Sequence, residues 1–533
     1  MATAAPGRGS RAGEAPPPTP PRPQAGVAAL ETRNRGLLTI GVMMATVMQI
    51  LDTTIANVAL PHMQAALSAT SDTITWVLTS YIVASAIAIP ITGWLSDRLG
   101  SRNLFLFSTI GFVVASALCG AAQTLTEMVA FRILQGITAA FLNPLSQTVM
   151  LDINPPERQA KAMSIWGMGI MVGPIMGPLI GGYLTDNFNW RWVFYVNLPV
   201  GVITIAILWF LLPSRPIRKR PFDIFGFTLL SLGISSLQLM LDRGQQQDWF
   251  ASTEIWIEAL VAGITLWMFA IHLALGKQPM FDRDLWKHRN LVTAVFFMLV
   301  IGLVMMATMA LLPSMLQSLY GFSVFDTGLL LMPRGFGVVI TMALSAQLIQ
   351  RGLDPRWTVG IGLAIAAYSL WEMAGWTIEM GTMPFIISGV VQGLGLGLVF
   401  MPLNGLAFQG LPAHYRTEGS SVMNLARSVG ASVGISIVTT LLARNIQTSH
   451  QYLSEHVTAG TMSGLNLLGQ LPVQAGAVMG MVNNIVNQQA AMIAYLNDYW
   501  LMALVTAASV PLVLLLRVSK GPIERPDPAA AGH

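Results

Sequence analysis

Leu51-Asp52-Thr53-Thr54-Ile55-Ala56-Asn57-Val58-Ala59-Leu60-Pro61 closes an apolar run that begins near Gly36 and is long enough to cross a bilayer. Asp52 lies inside that run, with no Lys or Arg close by in sequence. A carboxylate there must be protonated, paired or facing water. Low dielectric favours its neutral form, so a proton can reside on it. The bland alternative ties the acid to nearby polar groups such as Gln49, Thr53 or Asn57. No other Asp or Glu falls well inside a predicted span; Glu258 and Glu372 are the borderline cases.

The chain around this stretch is 53% apolar and 10% charged, where an average soluble protein is about 25% charged. That composition defines a polytopic membrane protein. The net charge of +4 is no sign of nucleic-acid binding. The single cysteine, Cys119, excludes a disulfide framework and a thiolate metal site. The seven histidines are scattered, so no metal site is expected. Nothing resembles a clustered nucleophile and base, and no enzyme is expected.

Spanning-length apolar runs fall at about 37–60, 74–95, 104–122, 128–150, 162–184, 192–212, 224–241, 256–275, 291–317, 327–349, 357–378, 384–409, 421–442 and 498–516. These fourteen runs put both termini on one side. With the termini inside, the cytoplasmic segments hold most of the 29 Lys and Arg, from Arg33 and Arg35 through Arg215–Arg220 to Arg525. Arg191, Arg243 and Arg444 fall outside, and Arg132, Arg334 and Arg427 lie within spans. The expected divisions are a Pro-rich disordered tail at 1–35, a six-helix half at 36–212 and two inserted helices at 213–290. A second six-helix half follows at 291–517, with a long outer loop at 443–497, and a tail at 518–533.

The two halves echo each other. Gln135-Gly136 and Asn143-Pro144 reappear as Gln392-Gly393 and Pro402-Leu403-Asn404. Parallel repeats of this kind place a binding site at their interface. Gln49, Asn57, Gln135, Asn143, Asn404, Asn424 and Arg427 are the polar candidates for lining such a cavity. The end of the outer loop reads as an amphipathic helix, with Val478, Val482, Ile485, Ile493 and Leu496 on one face. It either lies on the membrane surface, capping the outer mouth, or docks a periplasmic partner.

Three further motifs stand out. In the first inner turn, Gly93-Trp94-Leu95-Ser96-Asp97-Arg98-Leu99-Gly100-Ser101-Arg102 combines close-packing glycines with an acid and bases able to pair across the inner seam. Arg132 sits within a span, where an arginine must be paired or wet. Neighbouring positive charge helps a carboxylate release its proton; a purely structural donor to carbonyls is the alternative. Gly169, Gly173, Gly177 and Gly181 repeat at every fourth position, with Pro174 and Pro178 between them. This makes a smooth, bent helix face for close packing.

On these residues the chain resembles the major facilitator superfamily, specifically its fourteen-helix EmrB/QacA-type drug:proton antiporters. The resemblance covers about residues 36–517 and is carried by the Asp52 stretch, the Gly93–Arg102 turn, Arg132 with Gly136, and the Gly173–Gly181 antiporter motif. It is carried also by Trp190-Arg191-Trp192-Val193-Phe194-Tyr195-Val196-Asn197-Leu198-Pro199-Val200-Gly201 and by Arg427. Ser101-Arg102 departs from the family's paired basic residues, and the second half's equivalent turn at Gln350–Arg356 is degenerate.

The resemblance implies an all-α major facilitator fold in a bacterial inner membrane, with both termini cytoplasmic. It implies exchange of protons for hydrophobic toxic compounds by alternating access, with no cofactor beyond the proton gradient. Asp52 and Arg132 would couple the proton. Gly93, Asp97, Arg98, Gly100 and Arg102 would latch the inner seam. An EmrA-type periplasmic adaptor and a TolC-type outer-membrane channel are the implied partners. A same-fold exporter of a metabolite or siderophore is the alternative.

Overall fold

The computed structural model describes residues 30–214, 217, 221–277, 279–456 and 475–517. The Pro-rich stretch 1–29, the loop 457–474 and the tail 518–533 lie outside the described residues. Residues 30–35 do not belong with a disordered tail: the Leu30 amide donates to the Asp152 carbonyl at 3.0 Å. Thr32 Oγ1 donates to the Leu211 carbonyl at 3.2 Å. The Asn34 side chain then caps the first helix by accepting from the Leu37 amide.

Fourteen long helices follow in order. The first half holds α1 (Arg35–Ala66), α2 (Trp76–Leu99), α3 (Ser101–Ala121), α4 (Leu125–Asp152), α5 (Pro156–Asn187) and α6 (Asn197–Leu211). The inserted pair is α7 (Ile224–Arg243) and α8 (Thr253–Leu275). The second half holds α9 (Arg289–Ser318), α10 (Val324–Gln350), α11 (Pro355–Met373), α12 (Met383–Phe408), α13 (Arg416–Glu455) and α14 (Ala475–Ser509). Among the described residues, thirteen spans are long and apolar enough to cross a membrane. Helix α11 completes the set of fourteen; Pro355, Arg356 and Glu372 at its ends shorten its apolar stretch.

The halves are packed alike. Helix α1 lies on α5, α2 on α4, α3 on α4 and α3 on α6. In the second half α9 lies on α13, α10 on α12, α11 on α12 and α11 on α14. Each pair occupies the same place in its half, which is the structural form of the sequence repeat. Between halves, α5 meets α10 and α12, and α13 meets α2 and α4. The inserted α7 covers the α2–α13 seam, where Trp249 Nε1 also donates to Thr440 Oγ1 at 3.0 Å.

The outer region differs from expectation. Residues 475–497 are no separate surface helix; they are the first part of α14, continuous with the last span. Helix α13 likewise runs 40 residues, about 60 Å at 1.5 Å per residue, against a hydrocarbon core of about 30 Å. The pair projects as a hairpin, joined by a contact of 3.3 Å between His450 Nε2 and Asn483 Oδ1. Its packed positions are Val486 and Ala490, while Ile485 and Ile493 are exposed. The helix turns to match α13, and the face read from apolar residues alone was rotated from the one that packs.

Candidate functional site

Asp52 is buried, 1% exposed, at the middle of α1. Arg132 on α4 is fully buried and places Nη1 at 2.7 Å from Asp52 Oδ2. Gln135, one turn further along α4, donates Nε2 to Asp52 Oδ1 at 2.8 Å. Asn197, the first residue of α6, donates Nδ2 to the same oxygen at 2.8 Å. Asp52 is therefore held as an ion pair with three donors from two other helices. The polar neighbours expected on its own helix do not bind it: Thr53 donates to the Ile50 carbonyl instead.

The guanidinium is itself over-determined. Nε donates to the Val77 carbonyl at 3.0 Å, and Nη1 also donates to Gln135 Oε1 at 2.7 Å. The Tyr81 ring lies 4.2 Å from its carbon and the Phe194 ring 5.8 Å. A buried ion pair is tolerated when its geometry is good and further hydrogen bonds hold it, as the Val77 carbonyl and Gln135 do here. Arg132 serves a backbone carbonyl and the acid together. Asn197 was missed as a site residue, although it stands within the motif that carried the family resemblance. The signal was a lone amide opening an otherwise apolar run.

The glycine motif lies beside this node. A Cβ on Gly173 would meet Ile50 Cγ2 at 2.5 Å, and one on Gly181 would meet Val58 Cβ at 3.3 Å. Gly169 faces Met43 and Gly177 faces Thr54, so all four glycines of α5 abut α1. Thr54 Oγ1, two residues along α1 from Asp52, donates to the Gly173 carbonyl at 3.2 Å. Pro178 is half-buried on the same helix; the Pro174 side chain lies outside the described residues.

Polar groups of α4, α12 and α13 join the two halves. Gln147 on α4 donates to Asn404 Oδ1 on α12 at 2.7 Å and accepts from Ser420 on α13. Asn424 lies in the same cluster, with Nδ2 at 3.4 Å from Gln147 Oε1, and Arg427 donates to Asn424 Oδ1 at 3.3 Å. An ion pair of 3.1 Å joins Arg416 to Asp152 across the halves. Asn404 and Asn424 thus join the halves, and Gln135 is a ligand of Asp52. Asn143 is buried, Gln49 half-buried and Asn57 exposed.

The Gly93–Arg102 turn does reach the seam, since the end of α2 packs on α13 and Gly93 is buried there. Arg98, however, is exposed and lies over the Trp94 ring at 5.1 Å. Arg102 donates to the Trp209 carbonyl at 2.6 Å within its own half. The expected pairing of Arg98 across the seam is replaced by Arg416 with Asp152. Gly100 takes φ +84°, a conformation that closes α2 and starts α3 and suits only glycine well. Asp97 is half-buried near the end of α2. Among the described residues no group of His, Cys, Asp or Glu could hold a metal ion.

Two helical halves packed alike, a buried charge node in one of them and a polar seam between them define a multi-pass, all-helical protein built from a repeat. The family model of the Major Facilitator Superfamily matches residues 42–435, and the chain belongs to that superfamily. Within it the chain is EmrB-like. It is 38% identical over 429 residues to the multidrug export protein EmrB of Haemophilus influenzae, covering 79% of this chain and 83% of that one. It is 36% identical over 497 residues to EmrB of Escherichia coli K12, covering 91% and 95%. The fatty acid resistance protein FarB of Neisseria gonorrhoeae is 33% identical over 485 residues, covering 90% and 96%. The human organic anion transporter MFSD10 shares the fold, with TM-score 0.53 at 14% identity, over 88% of this chain and 99% of that one.

Proposed function

We propose that the protein exports hydrophobic toxic compounds across a bacterial inner membrane in exchange for protons, with both termini in the cytoplasm. The observation that supports this best is the Asp52–Arg132 pair, a buried acid held by a base from a second helix. An ion pair inside a membrane protein carries a free-energy cost that a transport cycle can use. Protonation of Asp52 removes its charge, frees Arg132 and loosens three interhelical bonds at once. Substrate and proton then favour different conformations, as population shift requires.

Helix α5 is the element that carries the change, because its glycine face abuts α1 while Gly167 faces Met342 and Phe400 of the second half. Close glycine packing lets the helices slide and excludes water beside Asp52, which limits proton leak. The Gln147–Asn404–Ser420 cluster and the Arg416–Asp152 pair hold the inner end shut. The projecting α13–α14 hairpin is the surface that an EmrA-type adaptor, in line with a TolC-type channel, would grasp. No cofactor besides the proton gradient is required.

The test is expression in a host lacking its own efflux pumps, with growth measured against a panel of hydrophobic compounds. Raised resistance that a protonophore abolishes supports proton-driven export. Unchanged sensitivity to the whole panel, with the protein present in the membrane, rejects drug export and favours a metabolite or siderophore as substrate.

A further inference from the structure

The second half holds a buried acid that the sequence pattern hid. Asp498 is 1% exposed, well inside α14, because that helix begins at Ala475 and not near the membrane boundary drawn from hydropathy. Both its carboxylate oxygens are buried, and neither has a hydrogen-bond partner among the described residues. Arg334 on α10 is 7% exposed, and its buried Nη2 also has no partner among them. Tyr499 Oη, Trp376 Nε1 and Gln392 Oε1 are buried and unmatched as well. One half thus has a saturated polar node and the other an unsaturated one.

The two nodes occupy related places. Gln135 reaches from α4 to Asp52 on α1; its repeat partner Gln392 reaches from α12 to Thr308 on α9, at 3.4 Å. Gly136 abuts the Tyr81 carbonyl on α2, and Gly393 abuts the Arg334 carbonyl on α10. Asn197 lies on the last helix of the first half and Asp498 on the last helix of the second.

A charged carboxylate without counter-ion or donors costs several kcal/mol in such a site, so Asp498 holds a proton in this conformation. Helix α14 is packed by α9, α11 and α13. On its own helix the neighbouring titratable groups are Tyr495, bonded to Ser314 Oγ at 3.1 Å, and Tyr499, whose buried hydroxyl has no hydrogen-bond partner among the described residues. Helix α11 brings Glu372, which accepts from Ser388, and α13 brings Arg427, bonded to Asn424, and the exposed Arg444. Among the described residues none forms an ion pair with Asp498.

We infer that Asp498 is a second proton-carrying acid of the transport cycle, neutral in this conformation. This rests on the proton-antiport reading above and adds a site in the other half. The proton leaves the Asp498 carboxyl for water when the helices part, and water then solvates the carboxylate; no other bond is made or broken.

The test is infrared spectroscopy of the purified full chain in detergent near neutral pH, which reads the C=O stretch of a protonated carboxyl without any transport. Wild type is expected to show this band, D52N to keep it and D498N to lose it; D498E shifts its frequency and stands in should D498N fail to fold. Absence of the band in wild type, or its survival unchanged in both Asp498 variants, overturns the proposal. In vesicles, with tetraphenylphosphonium as the probe, protons moved per probe should fall in D498N and recover in D498E. An unchanged ratio also overturns it. A wild type that shows the band but moves no protons refutes antiport and leaves the neutral acid standing.

Discussion

Arg132 Nη1 lies 2.7 Å from Asp52 Oδ2, and the two residues, eighty positions apart on α4 and α1, are both sealed from solvent. Removing either partner alone leaves the other uncompensated. Asp52→Asn and Arg132→Gln should each destabilise the protein by about 3–5 kcal/mol, the usual cost of breaking a buried pair. The double variant should lose clearly less than the sum. Thermal unfolding in detergent measures all three; strict additivity would mean that the two groups do not interact.

Asn197 donates to both Asp52 Oδ1, at 2.8 Å, and Ser116 Oγ, at 3.0 Å, and so ties α6 to α1 and α3. Asn197→Leu should cost about 1–3 kcal/mol, because it strips a donor from a buried carboxylate. Asn197→Asp should cost more, since it sets a second acid against the first. Unfolding midpoints in that order support the assignment; an Asp variant as stable as wild type speaks against it.

The glycine face predicts an order of tolerance. A Cβ at Gly177 would meet Thr54 Cβ at 2.6 Å, whereas one at Gly181 finds its nearest atom at 3.3 Å. Gly177→Ala should therefore lower export strongly and cost about 1–3 kcal/mol through overpacking, with Gly181→Ala milder. Resistance measured at matched expression checks the order.

The seam can be opened on purpose. Arg416→Ala removes the ion pair with Asp152, and Gln147→Ala removes the bond to Asn404. With a reporter cysteine in place of the buried Ser420, and Cys119 replaced, the double variant should label about tenfold faster from the termini side, a shift of about 1.4 kcal/mol in the closed–open balance. Labelling at the parental rate would show that the seam is held elsewhere.

Much of the architecture was legible because bilayer thickness sets run length and the basic residues mark the loops. Asp52 and Arg132 were legible for the same reason: a charge within an apolar run has few physical explanations. Their being partners was not, because helices α1 and α4 are joined only by tertiary packing. Asp498 escaped notice because 475–497 is polar enough to read as loop, which put the residue at a span's edge. The structure continues α14 through that stretch by packing it on α13, and the acid becomes interior. Arg98 misled in the opposite way, since a motif suited to pairing across the seam stacks instead on Trp94 beside it.

The most direct test of the central claim uses everted membrane vesicles with a preformed proton gradient and a pH-sensitive dye. Adding tetraphenylphosphonium should release protons in wild type, and Asp52→Asn, folded and present at equal amount, should give no release. Proton release by Asp52→Asn at the wild-type rate would contradict the account.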